Sequence, residues 1–239
     1  MTDAARTLAV IQHTSSEYLG LVEDHLEGRR IRFRYFRPFT AGGRLPRHGE
    51  IADGLVLLGG GPWGLAQGAS RLPWLQAEME LVSSALAAAT PIIGFGLGAQ
   101  LLAIAAGGTA APAPLRLEID TATRTAEDAL EGLLPARYPL VRYGRDEVSL
   151  PAGARVLARE GRGGWALFQL GRSAFGFAGH PGIKSAIIED LIMEFPEAPA
   201  QTAAALSELR SVQPLIEAAL VPIMAGLTRV LELMPQGRR

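Results

Sequence analysis

Pro91-Ile92-Ile93-Gly94-Phe95-Gly96-Leu97-Gly98-Ala99-Gln100-Leu101-Leu102-Ala103-Ile104-Ala105-Ala106-Gly107 holds two apolar runs with almost nothing between them. The first run reads as a buried strand, and Leu101 to Ala106 reads as a buried helix. Only Phe95 to Gly98 joins them, so the chain must reverse sharply from strand to helix. That is the geometry of a nucleophile elbow, which thrusts one side chain up at the head of a helix. Gly94 and Gly98 leave room for strand and helix to approach closely. The residue at the tip is Gly96, which has no side chain to present.

The preceding sequence supplies strands and helices in alternation. Thr7 to Gln12 is an apolar run suited to a buried parallel strand. Ser15 or Ser16 then caps a helix to about Leu26, with Leu19, Val22 and Leu26 on one face and Gly28 as its stop. Ile31 to Phe36 is a second strand, alternating apolar residues with Arg32 and Arg34. Pro38 to Glu50 is a polar loop. Ile51 to Leu58 is a third strand, running into Gly59-Gly60-Gly61-Pro62-Trp63-Gly64. That cluster fits a structural turn, and it can also present successive N–H groups to an anion. Leu72 to Ala89 is a helix with Leu75, Met79, Val82 and Leu86 at helical spacing. This is a doubly wound pattern, whose site lies at the carboxyl ends of the strands.

After the elbow, Ala110 to Pro114 reads as a linker, Leu115 to Asp120 as a strand and Ala126 to Leu134 as a short helix. Pro139 to Tyr143 leads into Gly144-Arg145-Asp146-Glu147. Arg155 to Ala158 is a strand, and Trp165 to Leu170 with Ser173 to Ala178 form a hairpin. Ile183 to Phe195 is a helix, and residues 196–199 are a break. Ala200 to Leu209 and Val212 to Met234 read as two further helices, the second kinked at Pro222. Its broad apolar stripe fits packing on its own domain or burial against a second copy of the chain. Glu217 and Arg229 bracket too short an apolar core for a membrane span.

Composition narrows the chemistry. The chain has 239 residues, 23 Lys plus Arg and 24 Asp plus Glu. That length suits one α/β domain, and that balance gives no net basic field for nucleic acid or acidic membrane. Met1 to Arg6 has no apolar leader segment, which points to a cytoplasmic protein. There is no cysteine, which excludes disulfides, thiolate metal sites and a thiol nucleophile. His13, His25 and His48 are scattered without metal-ligand spacing, so no metal and no cofactor is expected.

Gly94-Phe95-Gly96-Leu97-Gly98-Ala99-Gln100 resembles the Gly-x-Cys-Leu-Gly-x-Gln motif of class I glutamine amidotransferases. The stand-alone branch similar to the glutaminase domain of GMP synthetase is the nearest match, over about residues 7 to 195. The resemblance implies a flavodoxin-like α/β fold with a doubly wound mixed or parallel sheet. It divides the chain into residues 1–195 as the amidotransferase-like domain and 196–239 as a C-terminal helical extension. In that family the tip residue is a cysteine that attacks the glutamine amide; Gly96 stands there. Phe177-Ala178-Gly179-His180-Pro181-Gly182 resembles the family's Gln-Phe-His-Pro-Glu. His180 therefore matches the general base, while Gly182 stands at the glutamate that orients it.

The resemblance also assigns an oxyanion hole to the N–H of Gly60 or Gly61 with that of Leu97. Gln100 and Asp146 match ligand-holding positions, the family's histidine near Asp146 being replaced at Tyr143 or Gly144. From the residues alone, His180 fits a backbone-bonded structural histidine as well as a pocket residue. The resulting expectation is an amidotransferase-like protein without glutaminase activity, serving as a binding, regulatory or assembly subunit. The alternative is an amidotransferase or hydrolase that uses a non-thiol route. Expected partners are a small carboxylate or other anion in the cleft, a second copy through the C-terminal helices, and a synthetase-type protein.

Overall fold

The computed structural model describes residues 6–66 and 72–234. The reading of the N-terminus thus rests mainly on residues 1–5, outside the described part. In chain order the elements are β1 (Thr7–Ile11), α1 (Leu21–Gly28), β2 (Arg32–Phe36), β3 (Leu55–Leu57), α2 (Leu75–Ala87), β4 (Ile92–Phe95) and α3 (Leu97–Ala105). There follow β5 (Thr109–Ala111), β6 (Arg116–Arg124), β7 (Arg137–Gly144), β8 (Glu147–Ser149), β9 (Ala154–Arg159), β10 (Trp165–Leu170), β11 (Ala174–Phe177), α4 (Ser185–Glu194) and α5 (Thr202–Val230).

The apolar strands stack into one nine-stranded sheet in the order β2-β1-β3-β4-β11-β10-β9-β6-β7. The first five strands are parallel, with β4 held between β3 (Val56 opposite Ile93) and β11 (Phe175 opposite Ile93). Beyond β11 the pairing turns antiparallel. The β4 run Ile92–Phe95 is wholly buried because helices cover both faces of the sheet. One apolar layer includes Leu19, Val22, Leu26, Leu220 and Leu227 from the α1 and α5 side. The opposite layer includes Leu81, Val82, Ala99 and Leu102 from α2 and α3.

Four local expectations change. Residues 15–20 are not helical; α1 begins at Leu21 behind Gly20, whose φ of 60° suits glycine. Residues 126–134 form successive turns rather than a helix, with Leu130 and Glu131 at positive φ. The 110–114 linker is partly a strand, since β5 pairs antiparallel with β8. The two C-terminal helices are one helix of 29 residues that continues through Pro214 and Pro222. Burial of Leu209, Ile216, Leu220, Ile223, Met224 and Leu227 outweighs the two lost backbone bonds. By length and apolarity α5 could cross a membrane, but those residues are packed against the sheet and α4.

Candidate functional site

The site is built where β4 turns into α3. Gly96 has φ 53° and ψ −116°, a conformation costly for any residue with a side chain. Its N–H donates to the Phe177 carbonyl of β11 (3.0 Å), and its own carbonyl accepts from the Ala99 and Gln100 N–H groups. A Cβ at Gly98 would overlap the Leu57 carbonyl, so glycine there lets α3 lie against β3. A Cβ at Gly96 would meet only the Gly59 Cα, at 3.6 Å. The tip is therefore elbow-shaped and has space for a side chain it does not carry.

The glycine loop after β3 closes over this tip. A Cβ at Gly60 would overlap the Leu97 side chain, which is itself buried with Leu72, Leu75 and Leu101. Among the described residues, nothing accepts from the Leu97 N–H. The Gly61 N–H is already occupied: it donates to Glu17 Oε2 at 2.9 Å. The expected open anion cradle at Gly60, Gly61 and Leu97 thus holds an internal carboxylate on one of its amides.

Glu17 arrives on the 12–20 segment, which leaves β1 and lies across the site. Gln12, His13, Thr14, Ser16 and Glu17 are all buried. The Glu17 N–H donates to Thr14 Oγ1, and the Ser15 and Ser16 N–H groups donate to the Glu194 carboxylate at 3.1 and 2.9 Å. The Leu21 N–H donates to the Gly182 carbonyl at 2.8 Å. Side chains and the loop after β11 take the N–H groups that a helix would have used, which is why α1 starts late.

Behind the glycine loop, His13 donates from Nδ1 to the Gly59 carbonyl (3.0 Å) and from Nε2 to Glu78 Oε1 (2.9 Å), with both side chains fully buried. Burial alone would lower the His13 pKa, but the Glu78 charge and hydrogen bond, with the Gly59 carbonyl and Glu17, carry it above its ordinary value. A cationic His13 donates at both nitrogens, as the geometry requires. Burial pushes the Glu17 carboxyl up to about 7, against the pull of the Gly61 N–H and His13. The sequence reading missed this cluster. Its one signal was Gly20, a helix breaker inside the stretch taken for a helix.

His180 is positioned by β11 and the loop that follows it. Its N–H donates to the Val141 carbonyl, and its ring lies on Phe95 with centroids 4.9 Å apart. Nε2 donates to the Tyr18 carbonyl at 2.9 Å and Nδ1 accepts the Gly182 N–H at 3.2 Å. Both nitrogens are engaged, and the partners fix the neutral Nε2–H tautomer. Burial holds its pKa down at about 4. His180 is not among the residues lining the cavity over Gly96, and both its ring nitrogens are bonded to backbone. Gly182 stands between Val22 and Leu220, leaving no room for a carboxylate side chain.

Two other expected ligand holders are tied to backbone. Asp146, at φ 69°, accepts the Ala66 N–H at 2.8 Å and the Ala113 N–H at 3.4 Å, joining three loops. Gln100 donates to the Arg145 carbonyl at 2.8 Å, and its Oε1 is buried without a partner. Tyr143, whose hydroxyl is also unpartnered, lines the cavity over Gly96 with Gly61, Trp63, Leu97 and Gln100. That cavity measures about 10 Å³, room for roughly one water. No group of three His, Cys, Asp or Glu side chains that could hold a metal occurs among the described residues.

No protein-family model matches the chain, and no curated protein matches it in sequence. Solved structures do. A glutamine amidotransferase from Thermotoga maritima superposes with a TM-score of 0.80 at 21% identity, covering 96% of this chain and 100% of its own. A glutamine amidotransferase from Methylobacillus flagellatus gives 0.80 at 24% identity, with 99% and 98% covered. A proposed GMP synthase subunit from Thermoplasma acidophilum gives 0.56 at 16% identity, with 89% and 99% covered. Sheet order, elbow and C-terminal helix together give this chain the fold of the class I glutamine amidotransferases.

Proposed function

We propose that this protein is an amidotransferase-like subunit that does not hydrolyse glutamine and acts through binding, regulation or assembly. The observation that carries the reading is Gly96: an elbow with the positive-φ turn and space for a side chain, but no attacking atom. Loss of a nucleophile costs a factor of about a million in turnover. His180 adds support, since a base with both nitrogens engaged has none to offer a substrate. Purified protein incubated with glutamine is expected to release no ammonia above buffer. Release at a rate that tracks purity through successive columns would overturn the reading.

A small carboxylate in the cleft would have to compete with Glu17 for the Gly61 amide. Calorimetry with glutamate and glutamine should therefore be silent on the wild type and give heat only on a Glu17→Ala variant. We place the protein in the cytoplasm, with a synthetase-type partner or a second copy as its binding mate. Leu215 and Val221, 60% and 53% exposed on α5, favour the second copy. Leu215→Asp with Val221→Asp should then halve the mass in solution; a mass that stays the same removes these two residues from assembly.

A second reading, hydrolysis by a non-thiol route, has one observation in its favour. A carboxyl lifted to about 7 beside the glycine loop lies in the range of a general base. The same ammonia assay on Glu17→Gln decides it, because only this reading expects wild-type turnover that the variant loses.

A further inference from the structure

The outer side of β2 is one edge of the nine-stranded sheet. The Arg32 N–H donates inward to the Arg6 carbonyl (2.8 Å), and the Phe36 carbonyl accepts inward from the Gln12 N–H (3.0 Å). Alternation then turns the main-chain N–H and C=O of Phe33 and Tyr35 outward. Among the described residues nothing bonds to them.

The near-zero net charge conceals a strong segregation around this edge. Residues 27–50 carry seven arginines against two carboxylates, Glu27 and Glu50, leaving 16 basic and 22 acidic residues in the rest of the chain. Arg34 and Arg44 hold Glu50, at 3.3 and 2.7 Å. Arg30, Arg32 and Arg47 are exposed and have no ion pair among the described residues. Arg30 and Arg32 flank a shallow hollow with Phe33 and Glu27. Arg32 and Arg34 project from the same face of the strand, two residues apart. Phe33 and Tyr35 instead pack against the core on the other face, which leaves no aromatic platform for stacking bases.

We propose that the open edge of β2 docks an extended acidic segment of another protein. The segment adds as a further strand, bonding the outward groups of Phe33 and Tyr35. Its carboxylates, at alternate positions about 7 Å apart, face Arg32 and Arg34. Arg30 receives a carboxylate at the end of the strip. Charges on an edge also keep copies of a chain apart, but that role alone predicts no binding. The docking does not depend on the state of the elbow.

The test is titration of the full chain with a labelled heptapeptide, Glu-Val-Glu-Val-Glu-Val-Glu, at about 50 and about 300 mM salt. Saturable binding is expected at low salt, weakened about tenfold at high salt. Arg32→Glu should abolish it. Arg30→Glu, which lies outside the strand, should weaken it about tenfold with the melting temperature unchanged. The same peptide with alternate amides N-methylated should fail to bind. No binding at low salt overturns the proposal, as does equal affinity for the N-methylated peptide. Tighter binding of a single-stranded oligonucleotide of equal charge overturns it in favour of a nucleic-acid surface. A dimer in sedimentation that Arg32→Glu dissociates overturns it by making a second copy the occupant.

Discussion

The Gly61 N–H donates to Glu17 Oε2 at 2.9 Å, so a backbone amide of the glycine loop beside the elbow is satisfied by the chain itself. The burial this requires makes Glu17 a pH-dependent element. Its pKa rises on folding from 4.5 to about 7, so its contribution to stability is full below 4.5 and is lost as pH climbs through 7. His180 goes the opposite way: lowered from 6.5 to about 4, it costs stability as pH falls through that window. Between pH 4.5 and 6.5 the two slopes oppose. Glu17→Gln removes one of them, worth about 3 kcal/mol over its whole range. Chemical denaturation at stepped pH should show the variant gaining stability from pH 4.5 to 6.5 more steeply than wild type. Superimposable profiles would mean that Glu17 is not buried in the folded state.

Gly96→Cys isolates the strain in the elbow. The new Cβ meets only the Gly59 Cα at 3.6 Å, an ordinary contact, so packing is not what it disturbs. A residue with a side chain at φ 53° costs about 1–3 kcal/mol. The melting temperature should fall by a few degrees. A rise would show that the turn relaxes without cost. Glutaminase activity should not appear, because His180 spends both nitrogens on Tyr18 and Gly182.

Placing at Gly182 the glutamate that the motif resemblance expects there should fail structurally. A Cβ at Gly182 would stand 2.8 Å from Val22 Cγ2, 3.0 Å from the Val22 N and 3.2 Å from Leu220 Cδ2. Gly182→Glu must also bury a carboxylate there, so a loss of at least about 2 kcal/mol is expected. Circular dichroism melts would read this directly. A Gly96→Cys, Gly182→Glu double variant that stays folded and hydrolyses glutamine would contradict the whole account of the site.

The sequence revealed the elbow because Gly94, Gly96 and Gly98 interrupt two apolar runs in a way few structures permit. It revealed the parallel half of the sheet for a similar reason: β1, β3 and β4 are continuous apolar runs buried on both faces. What it hid was everything set by distant partners. Ser15 and Ser16 look like helix caps, yet their N–H groups belong to Glu194, 178 or more residues away. His13 and Glu78 are 65 residues apart and meet only because β1 and α2 flank the same glycine loop. Asp146 matched a ligand-holding position by motif alone, and its use as a loop tie depends on Ala66 and Ala113. The break expected before Val212 vanished because core burial along α5 outweighs local propensity.

The status of residues 196–239 as an appendage can be tested at Gly226. An exposed helix interior gains about 1 kcal/mol from glycine to alanine. Here the Cβ would lie 2.6 Å from Leu130 Cβ and 2.9 Å from the Leu130 carbonyl. Leu130 cannot easily give way, since it sits at φ 52° in a turn closed by the Leu134 N–H to the Ala129 carbonyl. Gly226→Ala should therefore lower stability by about 1–3 kcal/mol. It should also speed proteolysis within α5, because the helix would lift from the 129–134 turn. Stabilisation instead would mean that α5 rests loosely on the sheet. Deleting residues 200–239 would then leave a folded domain rather than the exposed core of Leu130, Ile187 and Leu191 that this packing predicts.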